Sequence, residues 1–308
     1  MKIILTGGTG FIGTYLLQRL SEQPNDIVLF TRSPAAAKTM NAASLRYVHW
    51  DAKSFGPWIE EINGADVVIN LIGKNVFEQR WTAAVKQELI DSRVHSTGLI
   101  VEAIRRSSRK PNVLVSASAV GFYGEKRDEL VTEESPGGND FLAGLVVQWE
   151  RAAKKAEEYG VRVANPRTGI VLQKDGGMVE RLLLPFRLFG GGWIGSGKQY
   201  IPWVHMDDVV RGMLYPIENE TVSGPYNLTS PNPVTMKEFC RILGNVLHRP
   251  SWVPVPDFAL KILYGEGAKV IIAGQKAVPQ KLLNAGYQFS FSDLETALRD
   301  ILRSMSGK

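Results

Sequence analysis

The chain has 308 residues, 44% of them apolar and 22% charged, which suffices for a sizeable buried core and is ordinary for a globular protein in water. The formal net charge of +5 is small for this length and no long basic run carries it, so neither a nucleic-acid partner nor, with no apolar stretch of spanning length, a membrane partner is expected. A single cysteine, Cys240, excludes an internal disulfide and a cysteine metal cluster, and the four histidines His49, His95, His205 and His248 have no metal-ligand spacing.

The chain opens on an apolar strand, Ile3 to Thr6, with no signal-peptide pattern before it, so the cytoplasm is the expected compartment. Phe11 to Ser21 reads as a helix and Asp26 to Thr31 as a second strand. Leu45 to Trp50 is a third strand and Ala65 to Ile72 a fourth, bounded by Gly64 and Gly73. Residues 82–107 carry a long amphipathic helix pattern, with the cations Arg105, Arg106, Arg109 and Lys110 near its end. Asn112 to Ser116 is a fifth strand, Leu142 to Tyr159 a helix closed by Gly160, and Val161 to Ala164 a sixth strand. Continuously apolar strands are buried on both faces, and helices between them indicate parallel crossovers. The expected fold is α/β: a doubly wound parallel sheet of the NAD(P)-binding Rossmann type, with a smaller, partly interleaved C-terminal α/β lobe.

After Arg167 the texture changes. Residues 174–200 are glycine-rich and irregular, 203–217 read as a strand end and a helix, and 222–235 as turns around Gly224, Pro225, Pro231 and Pro233. Thr235 is placed to cap a helix from Met236 to Leu247, and Pro250, Pro254 and Pro256 precede a last helical region. The expected division is 1–172 as the dinucleotide-binding domain, with 203–230 returning to it, and 173–202 with 231–308 as a substrate-side lobe.

The first strand runs into Thr6-Gly7-Gly8-Thr9-Gly10-Phe11-Ile12-Gly13, which opens the first helix. That context suits a pyrophosphate, because a helix N-terminus offers unpaired N–H groups and partial positive charge. Gly7 and Gly10 let the backbone turn close to the ligand, and Gly13 lets helix and strand pack tightly. The second strand ends at Phe30-Thr31-Arg32-Ser33, with no acid to accept from ribose hydroxyls. Arg32 offers a guanidinium to a 2′-phosphate, with Ser33 as a second donor, so NADP(H) is the expected cofactor. Asp51, after the third strand, is placed to meet the adenine edge or to serve only as a turn residue.

These motifs resemble the extended short-chain dehydrogenase/reductases, whose best-known members are nucleoside-diphosphate-sugar epimerases and dehydratases. The resemblance runs through Asn70-Leu71-Ile72-Gly73, Ser116-Ala117-Ser118, Phe122-Tyr123-Gly124, Pro166 to Leu172, Trp203 to Val209 and Tyr226-Asn227-Leu228. Gly195 to Gln199, Trp252 to Pro256, Gly265-Glu266, Gly274-Gln275 and Pro279 to Leu282 are similar to an atypical subgroup. Its members are called only epimerase family proteins, some carrying the name of a cell-division inhibitor. The resemblance implies a cofactor set of Gly7, Thr9, Gly10, Phe11, Ile12, Gly13, Arg32, Asp51 and Leu71. To these it adds Gly73 along the nicotinamide ribose, Arg93 near a phosphate and Arg167 near the nicotinamide end.

The usual acid/base pair of that family, a Tyr with a Lys four residues on, is absent. No tyrosine of the chain has such a lysine, and counting back from Trp149-Glu150 the two positions hold Leu142 and Val146. Three readings stay open. Another group, Ser118 or Tyr123 on the loop after the fifth strand, serves as catalytic residue. Alternatively water supplies the proton, or the chain binds NADP(H) without catalysis as a regulator or partner-binding protein. The loop from Gly190 to Asp208, with Trp193, Lys198, Gln199, Tyr200, Trp203 and His205, either closes over a small-molecule substrate or contributes core residues where the lobes meet.

Overall fold

The structure, a computed structural model, describes residues 1–34, 44–256, 258, 260, 262 and 265–303. The last helical region lies partly outside those residues.

Alternation along each short apolar strand feeds two cores at once. In β1 (Lys2–Thr6), Ile3 and Leu5 face one side of the sheet and Ile4 the other. In β2 (Asp26–Thr31), Ile27 and Leu29 face the first side and Val28 and Phe30 the second; β4 (Val67–Asn70) and β5 (Val113–Ser116) repeat the pattern. A strand with no polar face must be covered twice. On the first side it is covered by Leu16, Leu17 and Leu20 of the helix Phe11–Ser21 and by Val209, Val210 and Met213 of the helix Met206–Glu218. On the second side it is covered by Trp50, Trp58, the helix Ser96–Arg106 through Leu99, Ile100 and Ile104, and Ala153 of the helix Phe141–Lys154.

With β3 (Leu45–His49), β6 (Ser118–Ala119), β8 (Arg162–Thr168) and β12 (Gly224–Leu228), the main sheet has eight strands among the described residues. Their order is β12-β8-β5-β4-β1-β2-β3, with β6 also paired to β8, and every pairing is parallel. This is the doubly wound Rossmann arrangement, with its ligand edge at the carboxyl ends of the strands.

A third core, built from Leu172, Val179, Leu183, Phe186, Trp203, Phe239, Cys240 and Leu298, joins the helices Gly177–Arg187, Met236–Leu247 and Leu294–Arg303. Small two-stranded pairings stitch it to the rest: β9 (Ile170–Gln173) with β11 (Trp203–His205), β10 (Tyr200–Ile201) with β13 (Val234–Thr235), and β7 (Leu130–Val131) with β14 (Lys276–Ala277). Thr235 caps its helix as expected, its hydroxyl accepting from the Glu238 N–H at 3.2 Å.

Four segments differ from the sequence expectation. Residues 174–200, read as glycine-rich and irregular, contain the α-helix Gly177–Arg187, whose Val179, Leu183 and Phe186 are buried on one face. The helix pattern over 82–107 is two α-helices, Ala83–Ile90 and Ser96–Arg106, joined by a π-helical turn over Asp91–His95, because the turn carrying Arg93 is wound wider. The sixth strand does not stop at Ala164 but runs to Thr168. Pro166 is tolerated there because it falls in the gap between the neighbours β5 and β6, which pair with Arg162–Ala164 and Arg167–Thr168. Residues 224–228, read as turns from Gly224 and Pro225, form edge strand β12, where a proline costs no central ladder bond.

Candidate functional site

At the carboxyl edge of β1 the chain turns sharply. Gly7 has φ +71°, and a Cβ there would lie 2.9 Å from the Leu71 carbonyl carbon, so both backbone conformation and space require glycine. The Gly10 N–H closes the turn on the Gly7 carbonyl at 3.0 Å. A Cβ on Gly13 would fall 2.1 Å from that carbonyl oxygen, and one on Gly8 would fall 2.5 Å from Leu29 Cδ1. The sequence reading gave Gly8 no role; its packing against Leu5 and Leu29 shows one. Gly10 caps the helix with no side-chain hydrogen bond and no acid follows in the first turn, so the first N–H groups carry no internal anion. Thr9 and Phe11 are exposed and Ile12 half-buried beside this turn, and the Phe11 ring lies against the Gly176–Gly177 backbone, which brings the second lobe to the turn.

Arg32 and Ser33 are exposed at the end of β2. Asp51 is spent locally: its carboxylate accepts from the N–H groups of Lys53 and Ser54 and from the Ser54 hydroxyl at 2.8, 2.9 and 2.8 Å. Those bonds, the backbone one of Lys53 foremost, hold its carboxyl below the usual range. The turn role, one of its two sequence readings, is the one with contacts.

Leu71 continues β4, its N–H donating to the Thr6 carbonyl at 3.1 Å. Beneath it, Asn70 ties three strand ends together. The Thr6 hydroxyl donates to Asn70 Oδ1 at 2.8 Å, and Asn70 Nδ2 donates to Thr97 Oγ1 at 2.9 Å and Ser116 Oγ at 3.4 Å. All four side chains are fully buried, so the ligand edge rests on a satisfied polar clamp.

Gly73 and Arg93 meet. A Cβ on Gly73 would lie 3.0 Å from the guanidinium carbon of Arg93. Arg93 donates to the carbonyl of Lys74 at 2.8 Å and of Leu89 at 3.3 Å and stands over the Trp149 ring at 5.3 Å. Among the described residues no carboxylate pairs with it, and burial pushes it down to about 10. A half-buried cation whose described partners are all neutral is a place where an anion is stabilised.

The loop after β5 carries a closed polar chain. Ser118 donates its hydroxyl to Glu150 Oε1 at 2.5 Å, and Glu150 accepts both Nε and Nη2 of Arg167 at 2.8 and 2.9 Å. Arg167 Nη1 donates to the Tyr123 hydroxyl at 3.0 Å, which donates to Asn227 Oδ1 at 2.7 Å. The guanidinium also lies 3.5 Å from the Phe122 ring centroid. Asn227 N–H and Lys281 N–H both donate to Glu133 Oε1, extending the chain into the C-terminal segment. Burial works to lower Arg167, but the bond and charge of Glu150 outweigh it and raise the group, while burial raises Tyr123 above the ordinary phenol value. Tyr123 is fully buried with its hydroxyl engaged on both sides, so the structure gives this phenol no open face. Glu150, Asn227 and Glu133 were not singled out from sequence. The available signal was spacing: Leu142, Val146 and Glu150 follow at i, i+4 and i+8 on one face of the helix Phe141–Lys154.

Leu142 lies opposite Gly121, with a would-be Cβ there 3.8 Å from Leu142 Cβ, and Val146 is buried, so the expected Tyr and Lys positions present hydrocarbon. In the Gly190–Asp208 loop, Trp203 is fully buried and its Nε1 donates to the Asn232 carbonyl at 2.9 Å. His205 Nδ1 caps the helix Met206–Glu218 by accepting from the Asp207 N–H, and its ring lies on Phe291 with centroids 3.8 Å apart. Both are packed where the lobes meet. Among the described residues no helix is long and apolar enough to cross a membrane.

Residues 3–229 match the model of the NAD dependent epimerase/dehydratase family, and residues 255–301 match a domain of unknown function, DUF1731. The chain is 37% identical over 303 residues to the epimerase family protein YfhF of Bacillus subtilis (strain 168), covering 98% of each. It is 40% identical over 313 residues to the chloroplastic epimerase family protein SDR39U1 homolog of Arabidopsis thaliana, covering 98% of this chain and 87% of that one. Among solved structures, the human epimerase family protein SDR39U1 (isoform 2) with NADPH has a TM-score of 0.86 at 32% identity, covering 98% of this chain and 99% of that one.

Proposed function

The chain belongs to the NAD dependent epimerase/dehydratase family, and from that premise we propose that it binds NADP(H) and acts as an oxidoreductase whose hydride transfer is not coupled to a tyrosine acid. The observation that carries the reading is the pair of features at the ends of β1 and β4: glycines that no side chain can replace at Gly7 and Gly13, with Gly7 against Leu71, and the half-buried Arg93 against Gly73, its guanidinium having no carboxylate partner among the described residues. Backbone N–H groups of the turn and the first residues of the helix Phe11–Ser21 hold the pyrophosphate, and Arg93 faces the dinucleotide as a second cation. Arg32, with Ser33, meets the 2′-phosphate; that NADPH accompanies the human structure of the same family supports this preference.

The bound cofactor supplies a hydride at its nicotinamide ring. Ser118 has committed its proton to Glu150, so its oxygen faces a ligand only as an acceptor. Glu150 and Arg167 fix that orientation. Leu142 and Val146 line the helix with groups that move no proton, which speaks against epimerisation at a sugar hydroxyl and favours reduction of an activated double bond with water as proton source.

A second reading, a non-catalytic NADP(H)-binding regulator, is favoured by the same closed chain, since Ser118, Glu150, Arg167 and Tyr123 satisfy one another. Calorimetric titration with NADPH and NADH, on the parent chain and Arg32→Ala, tests the cofactor. Tight NADPH binding, weak NADH binding and loss of that difference in the variant are expected; no binding of either dinucleotide overturns the proposal. NADPH oxidation against enones, quinones and carbonyls then separates the readings. Turnover that falls in Ser118→Ala supports the oxidoreductase, and silence across the panel supports the regulator.

A further inference from the structure

Beside Ser118 the site opens on hydrocarbon. A Cβ on Gly121, just after Ser118 in the same loop, would lie 3.8 Å from Leu142 Cβ. One residue earlier on that helix, the Phe141 ring meets the Trp81 ring edge to face, with centroids 5.2 Å apart. Trp81, Phe141, Leu142 and Gly121 are half-buried, so solvent reaches each of them, whereas Tyr123 and Val146 beside them are buried.

The rim of this apolar face comes from the far end of the chain. A Cβ on Gly267 would lie 3.4 Å from Trp81 Nε1, and one on Gly265, whose φ is +58°, would lie 3.2 Å from Arg80 Nε. Between the two glycines, Glu266 Oε2 accepts from Lys86 Nζ at 2.7 Å, and that ammonium stands 5.0 Å from the Phe141 ring centroid. Residues 265–267 fall within the segment that matches DUF1731.

The polar groups around the face are already engaged. Trp81 Nε1 donates to the Val76 carbonyl at 2.8 Å. Lys86 pairs with Glu266 and Lys74 with Glu88, while Ser118 and Arg167 both bond to Glu150. The N-terminus of the helix Phe141–Lys154 would attract an anion, but Asp140 caps it, its carboxylate accepting from the Ala143 N–H at 3.0 Å. The first helix, at the phosphate turn, carries no such acid. Arg80 is exposed, at the rim beside Gly265.

We propose that this face holds the substrate, and that the substrate is a flat, uncharged, ring-bearing carbonyl or enone. The inference rests on the oxidoreductase reading above, which places the reacting ligand at Ser118. Ring edges and aliphatic carbons favour a hydrocarbon plane. A nucleoside diphosphate would bring its negative charges to a helix end and a lysine that carboxylates already neutralise, and would lose hydration without a new partner. Residues 265–267 contribute to specificity: the two glycines let the chain lie against Arg80 and Trp81, and the Lys86–Glu266 bond ties that rim to the helix Ala83–Ile90.

The test is calorimetric titration of the full chain, saturated with NADP+ so that nothing turns over, with 2-methyl-1,4-naphthoquinone and with UDP-glucose. The quinone should bind and UDP-glucose should not. The quinone dissociation constant should rise at least about tenfold in Trp81→Ala, in Leu142→Gln and in Gly267→Leu, with NADP+ affinity and melting temperature kept. Leu142→Gln, at a half-buried position, preserves the test if Trp81→Ala fails to fold. The proposal is overturned if UDP-glucose binds more tightly than the quinone, if neither probe binds, or if the folded variants bind the quinone as the parent does. Its failure is distinct from that of the reading beneath it. Quinone binding that the variants weaken, without any NADPH oxidation, defeats the oxidoreductase and leaves the apolar face standing; NADPH oxidation whose KM the variants leave unmoved does the reverse.

Discussion

Gly13 and Gly7 are in backbone contact across the first turn of the first helix, so close that a methyl group on residue 13 would lie 2.1 Å from the Gly7 carbonyl oxygen. Alanine normally favours a helix interior over glycine, yet here the added carbon has nowhere to go. Gly13→Ala should lower stability by about 1–3 kcal/mol through overpacking, and should abolish the gain in melting temperature expected of the parent chain with NADPH. Melting curves with and without NADPH read both effects. A variant that melts like the parent and still gains from NADPH would show that the turn is looser than this contact requires.

Arg93 offers a sharper separation of binding from folding. Arg93→Met keeps much of the hydrophobic stem over Trp149 and removes the cation. If the guanidinium faces the dinucleotide, the NADPH dissociation constant should rise tenfold or more, the scale of about 1.5–3 kcal/mol for a charge-assisted bond. Calorimetry on the folded variant measures it. An unchanged constant with a lower melting temperature would leave Arg93 as a brace for the Lys74 and Leu89 carbonyls alone.

The closed chain from Ser118 to Asn227 predicts stability effects distinct from cofactor effects. Glu150→Gln leaves the nearly buried Arg167 without its carboxylate and should cost about 3–5 kcal/mol in urea unfolding. Tyr123→Phe strands Asn227 Oδ1 and should cost about 1–3 kcal/mol, with NADPH affinity unchanged. If Tyr123→Phe instead removed turnover while stability held, the buried phenol would have to be a catalytic group after all.

His205 sets a pH dependence. Burial lowers it below its ordinary value of 6.5, against the opposing pull of Asp300, Asp208 and Asp207, with Asp300 Oδ2 3.4 Å from Nε2. The folded protein therefore binds this proton less readily than the unfolded chain. The contribution is fully present above about pH 6.5 and declines as pH falls through and below that value towards the lower folded one. Urea midpoints between pH 7.5 and 5 should fall in the parent, and the fall should be shallower in His205→Gln. Equal slopes would assign the acid sensitivity elsewhere.

Local chemistry made the first half legible. The first helix and second strand were read to the residue, because Gly10 and the apolar run Ile27 to Phe30 set their ends by capping and alternation. What escaped depends on neighbours. Gly224 and Pro225 signal a turn until β8 lies beside them, and Pro166 ends a strand unless its partners change at that position. The wide turn at Asp91–His95 has no periodic signature, although it carries Arg93. At the site, the glycines were visible because backbone strain is written in residue type. Asn227 was not, because its role exists only through a partner many residues away, and Glu150 was marked only by its spacing from Leu142 and Val146 on one helix face.

The sheet order also times the protein's birth on the ribosome. β8 leaves the exit tunnel with β5 already on one side, but its other neighbour, β12, ends at Leu228, about sixty residues after Thr168. At roughly 5–20 residues per second, the outer ladder of β8 stands unpaired for about 3–12 s in every nascent chain. During that interval an open parallel edge is available to any other extended chain nearby. A translational pause inside those sixty residues would lengthen the exposure, and synonymous codons there, which change no side chain of the finished protein, could change how much of it folds.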